Sequence, residues 1–151
     1  MKANSEGLEL SVSILMDDLV SAKEIASALR TQDVLAHHYQ SLDEFWVATN
    51  IQIPDLVIID VTKMSQGSVQ FRNHPKVIDG TLCYSFFSKD STKILVQSTL
   101  GLKPFSYLHL DSSLAVQVNI LLNRKKKEMK LEKELKEMEL RVQRLQSRSQ
   151  R

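Results

Sequence analysis

Along most of the chain, apolar runs rich in β-branched residues alternate with stretches of helical spacing, the pattern of βαβ units built around a parallel sheet. Leu10 to Met16 reads as a first strand, and Ser21 to Leu29 as a helix with Ile25, Ala26, Ala28 and Leu29 facing inward. Asp33 to Tyr39 is a weaker second strand. Ser41 with Glu44 three residues on forms a capping box, and Phe45, Trp46 and Ala48 supply the buried face of the helix it starts. Leu56 to Ile59 is apolar without interruption, as a central strand covered on both faces must be. Gly67 to Val77 is a poor helix broken by Pro75, and Asp79-Gly80 predicts a turn before a fourth strand, Leu82 to Phe87. Ser91 to Leu100 reads as helix, stopped by Gly101, and Phe105 to Leu110 as a fifth strand. The expected architecture is a doubly wound, five-stranded parallel α/β sheet with an extended C-terminal helix.

That last helix is capped by Asp111-Ser112-Ser113 and meets neither Gly nor Pro before Arg151. Continued to Ser147 at about 1.5 Å per residue, it would span roughly 50 Å and project from its domain. Leu114, Val118 and Leu121 form a stripe for packing on the sheet. Leu131, Leu135, Met138, Val142 and Leu145 then recur at intervals of four, three, four and three, the seam of a short coiled coil, with Arg124 and Glu128 interrupting between the two stripes. With Leu135 and Val142 at position a, a parallel pair sets Lys127 against Glu132 of the other helix and Glu134 against Glu139. One contact helps and one hurts, so charge does not choose the orientation. A solvated single helix held by Glu132–Lys136 and Glu137–Arg141 pairs is the competing reading. Five apolar seam positions favour a homodimer.

Charge divides the chain in the same place. Residues 124–151 carry 11 basic and 5 acidic side chains, leaving 9 and 13 for residues 1–123. The expected organisation is a tail over residues 1–9, a domain over 10–123 and a projecting helix over 124–151. Arg124-Lys125-Lys126-Lys127 is followed at once by interleaved glutamates with no aromatic residues, so a solvated linker is expected and no specific nucleic-acid partner. No run reaches the length of a membrane span and the N-terminus lacks an apolar leader, which predicts a cytoplasmic protein. Cys83, the single cysteine, is expected to be buried and inert. His37 and His38 alternate on a strand and cannot share one metal, while His74 and His109 lack liganding neighbours at useful spacing.

Chemistry enters with Asp60, which closes the apolar run from Leu56, and with Asp17 and Asp18, which close the run from Leu10. Three carboxylates at the carboxyl ends of neighbouring parallel strands repel one another unless a hard cation such as Mg²⁺ or a phosphoryl group belongs to the design. Asp17 or Asp18 alone could instead cap the following helix.

With these residues in place, residues 10–123 resemble a receiver domain of bacterial two-component response regulators, a flavodoxin-like fold. The resemblance implies that Asp17 and Asp18 are the Mg²⁺-binding pair and that Asp60 is the phosphoryl acceptor. It further implies a metal contact from the Thr62 backbone carbonyl, a switch hydroxyl at Ser88 and a switch aromatic at Tyr107. Counted from Tyr107, the family's lysine falls at Leu110 and its proline at Asp111, so this pattern departs from the family at the lysine. Lys103-Pro104-Phe105 also resembles the family's lysine-proline signature, but that alignment leaves too few residues after Ser88 for a helix and a strand.

The function expected is therefore a non-enzymatic regulatory module, an atypical receiver that responds weakly and dimerises through its C-terminal helix to control an output domain or partner, with a histidine kinase upstream. Because the chain ends in Gln146 to Arg151 without a stop signal, it reads as a piece of a longer protein. A phosphorylation-independent adaptor is the alternative. A hydrolase using Asp60 as nucleophile is the third reading, and it lacks a recognisable second catalytic set.

Overall fold

The computed structural model describes residues 10–30, 34–61, 71–88, 102, 104–109 and 114–149. Five strands, β1 (Leu10–Leu15), β2 (Val34–Tyr39), β3 (Leu56–Asp60), β4 (Tyr84–Ser88) and β5 (Tyr107–His109), form one sheet in the order β2-β1-β3-β4-β5. Every pairing is parallel. The order turns back between β1 and β3, which is the point at which doubly wound sheets open a crevice beyond their strand ends.

The helices are α1 (Leu19–Arg30), α2 (Leu42–Ile51), the single turn α3 (Pro75–Ile78) and α4 (Leu114–Ser149). Helix α1 starts two residues before the expected Ser21 because Asp18 is its cap. One Asp18 oxygen accepts from the Val20 N–H at 3.1 Å and the other from the Ser21 hydroxyl at 2.8 Å. Helix α2 starts as expected, with the Ser41 hydroxyl accepting from the Glu44 N–H. Of the expected helix over 67–77, residues 67–70 lie outside the described residues. The remainder is split at His74, where the His74 ring accepts from the Lys76 N–H and Pro75 sits in the first turn of α3.

Burial follows the two periodicities. All five residues of β3 are buried, and β2 at the sheet edge is the least covered strand, with Leu35, His37 and His38 exposed. On one face, Leu15, Val57, Ile59, Tyr84 and Phe86 pack with Phe45 of α2 and with Phe71. The aromatic side chains Tyr39, Phe45, Trp46, Phe71, Tyr84, Phe86 and Tyr107 run as a file across the sheet, with successive ring centroids no more than 6.1 Å apart. Three expectations about the core shift. On α1, Ala26 and Ala28 are half-buried, and Ser21 and Ala22 are enclosed beside Ile25 and Leu29. Cys83 is half-buried because it precedes β4 instead of lying inside it. On α2 it is Phe45 and Thr49 that are fully enclosed, while Trp46 and Ala48 are half-buried.

The chain divides into two compact units, Met1–Asn119 and Ile120–Arg151, and α4 contributes to both. Within α4, Leu114, Val118, Leu121 and Leu122 are buried, whereas every residue from Lys130 to Ser149 is exposed. No helix among the described residues is long and apolar enough to cross a membrane.

Candidate functional site

The carboxyl ends of β1, β3 and β4 gather four of the residues singled out in the sequence. Asp60 is the last residue of β3 and only 4% exposed. Its strand partner is Phe87, so Ser88, also buried, ends β4 one step further on. On the other side Leu15 pairs with Ile59, which puts Met16 level with Asp60 and the acidic pair just beyond. A carboxylate closes the central strand because β3 has no room for charge before its last position: Leu56 to Ile59 are all enclosed.

The acidic pair differs between its members. Asp17 is exposed, while Asp18 is half-buried and holds the N-terminus of α1. Of the two readings of Asp18, the cap is the one that these hydrogen bonds fulfil. Met16, just before the pair, is held from the edge strand. Its N–H donates to the Tyr39 carbonyl at 3.1 Å, and its own carbonyl lies 2.8 Å from His38 Nε2. Sequence reasoning passed over that histidine contact, whose only signal was its alternation with His37 on an edge strand.

Among the described residues, no group of three or more His, Cys, Asp or Glu side chains stands close enough to hold a metal ion. The three aspartates share one end of the sheet without forming a cage. The oxygen donors are of the hard type that suits Mg²⁺. The fourth donor expected of the site, the Thr62 carbonyl, lies outside the described residues, as does Leu110.

Tyr107 opens β5, paired with Phe86, and is 44% exposed with its ring 6.0 Å from that of Phe86. The Phe105 N–H donates to the Tyr84 carbonyl and the Phe86 N–H to the Ser106 carbonyl. Phe105 and Ser106 thus lead into β5, so the Lys103-Pro104-Phe105 run precedes the strand in the chain instead of following it.

No protein-family model matches the chain, and no curated protein does. Solved structures do. A response regulator receiver protein from Burkholderia phymatum superposes with a TM-score of 0.64 at 21% identity, over 79% of this chain and 96% of that one. NtrX from Brucella abortus superposes with a TM-score of 0.63 at 14% identity over 87% of this chain, which spans only 29% of the NtrX chain. A fusion carrying a segment of the trimeric coiled coil of yeast Spc42 gives 0.62 at 13% identity, over 97% of this chain and all of that one. The order of the five parallel strands, the acidic residues at their carboxyl ends and these superpositions lead to one statement: the chain has the fold of response regulator receiver domains, continued by a long C-terminal helix.

Proposed function

We propose that this chain is a cytoplasmic signal-transduction module in which Asp60 accepts a phosphoryl group and the C-terminal helix carries dimerisation to an output domain or partner. The observation that carries the proposal is the position of Asp60, a buried carboxylate ending the central strand, with Ser88 ending the next strand and the acidic pair just beyond β1. Asp17, Asp18 and Asp60, with the Thr62 carbonyl, would hold Mg²⁺, and the carboxylates would have to close in from where they now stand. The ion would offset the charge of the incoming phosphoryl group. Leu110 in place of a lysine removes a charge-assisted hydrogen bond worth roughly 1.5–3 kcal/mol, which makes the conformational response of Ser88 and Tyr107 weak. An upstream histidine kinase would supply the phosphoryl group. No substrate turnover forms part of the proposal.

The test is incubation with acetyl phosphate and Mg²⁺ followed by intact-mass measurement. The expected product is a species about 80 Da heavier, absent in Asp60→Ala and in the presence of a chelator. An unmodified mass in the wild type would sink the phosphoryl-acceptor reading. It would favour an adaptor of the same fold that binds partners without phosphorylation, a reading that the open carboxylate arrangement and the half-exposed Tyr107 already support.

A further inference from the structure

The second half of α4 carries an apolar stripe that nothing among the described residues covers. Leu131, Leu135, Met138, Val142 and Leu145 are 50–63% exposed, and every polar residue around them from Lys130 to Ser149 is exposed as well. At on the order of 100 Å² of apolar surface per side chain, the five leave about 500 Å² in one line, as large as the largest patch of a typical soluble monomer, which is often an interaction site. Two such lines facing each other would remove about 1,000 Å² from water, the lower bound for a stable interface.

We infer that the occupant of this stripe is the same stripe of a second copy, running parallel and in register, as a two-stranded coiled coil. The inference rests on the proposed dimerisation and adds its direction, register and stoichiometry. Register decides the direction. In a parallel pair each seam residue meets its own counterpart, giving five apolar layers. In an antiparallel pair an a residue meets a d residue, and two alignments come closest. One sets Leu135 against Leu145 and Met138 against Val142, which leaves Leu131 opposite Ser149. The other sets Leu135 against Met138 and Leu131 against Val142, which leaves Leu145 opposite Glu128. Either way an apolar seam residue is lost to a polar partner, at both ends of the pair.

Charge leaves that preference intact, because the favourable Lys127–Glu132 contact of the parallel pair is offset by Glu134 against Glu139. Val142 at position a, with Leu131 and Leu145 at d, fits two strands better than three, since trimers draw on isoleucine at both positions. Leu140 lies on the opposite side of the heptad and stays outside the seam. The pair brings both Ile120 ends together and both Ser149 ends together.

Disulfide trapping in the full chain tests this. With Cys83→Ser removing the native thiol, Met138→Cys places one thiol at a d layer, and Leu140→Cys serves as the off-seam control. Both positions are exposed in the monomer, so neither change disturbs the sheet. Under a mild oxidant such as diamide, Met138→Cys is expected to give covalent dimer on the order of tenfold faster than Leu140→Cys, because pairing raises the local thiol concentration. Sedimentation equilibrium of the unaltered chain at tens of micromolar is expected to return twice the monomer mass. Dimer mass with no preferential trapping at Met138→Cys overturns the parallel register and leaves dimerisation standing. Trimer mass overturns the two-stranded form, and monomer mass overturns both this inference and the dimerisation beneath it.

Discussion

The Ser85 hydroxyl is fully enclosed beside Ile58 and has no hydrogen-bond partner among the described residues. A buried hydroxyl left unpaired costs about 1–3 kcal/mol. Ser85→Ala is therefore expected to raise stability by about 1 kcal/mol, read as a higher urea midpoint at unchanged slope, and a lower midpoint would show that the oxygen is used. His74 supplies a second test at this scale. Its ring lies flat on Trp46, with centroids 3.7 Å apart, and accepts from the Lys76 N–H, which needs an unprotonated Nδ1. Partial burial and then the Lys76 charge lower its pKa below the ordinary 6.5, against a smaller pull from Asp79. The unfolded chain thus takes up this proton at a higher pH than the folded one. The contribution of His74 to stability is complete above 6.5 and is lost as pH falls from there to the lowered value. An NMR titration of the ring should give a midpoint under 6.5, and His74→Gln should flatten that part of the stability profile. Asp60 was legible in the sequence because a charge after four apolar residues marks a strand end. The Trp46–His74 stack was not, since it joins residues 28 positions apart that only the packing of α2 brings together.

At the scale of elements, the same contrast follows from how local each signal is. Ser41 with Glu44, and the unbroken Leu56–Ile59, act over four residues, and both α2 and β3 form where those signals stand. Helix α1 starts two residues before its clearest sequence signal because Asp18 admits two readings, as a ligand or as a cap, and its sequence favours neither. The expected fourth strand began early for a related reason. Leu82 is buried like a strand residue, yet its N–H goes back to the Lys76 carbonyl, closing the turn after α3. That turn rests on Gly80, the one described glycine with positive φ, at 78°, and an added Cβ there would meet nothing within 4 Å. The cost of Gly80→Ala is then purely that of the left-handed backbone, about 1 kcal/mol in a denaturant titration. Asp18→Ala removes both side-chain bonds at the start of α1 and is expected to cost about 1 kcal/mol as well. A null result for Asp18→Ala would mean that the cap is replaced by solvent.

The molecule as a whole combines a unit with an enclosed core and a helix whose last twenty residues have none. The five strands with α1 and α2 bury their apolar faces within the same chain, so the stability of this unit is unimolecular. The segment from Lys130 onward has only i,i+4 pairs such as Glu132–Lys136 to hold it when alone, each worth a few tenths of a kcal/mol. Most of the stability of helices in proteins comes from packing an amphipathic face, a packing that this segment lacks when alone. If its seam is covered by a second copy, helix and association form together, and mass action makes the helix depend on protein concentration while the sheet unit does not. Helical ellipticity at about 222 nm should therefore rise as the chain is concentrated from low to high micromolar. Emission from Trp46, the single tryptophan and a member of the core file, should stay constant over the same range. Helicity independent of concentration, with a monomer mass, would mean that the glutamate–lysine ladder alone holds α4 straight. Trp46 emission changing in step with ellipticity would instead mean that the sheet unit takes part in the association.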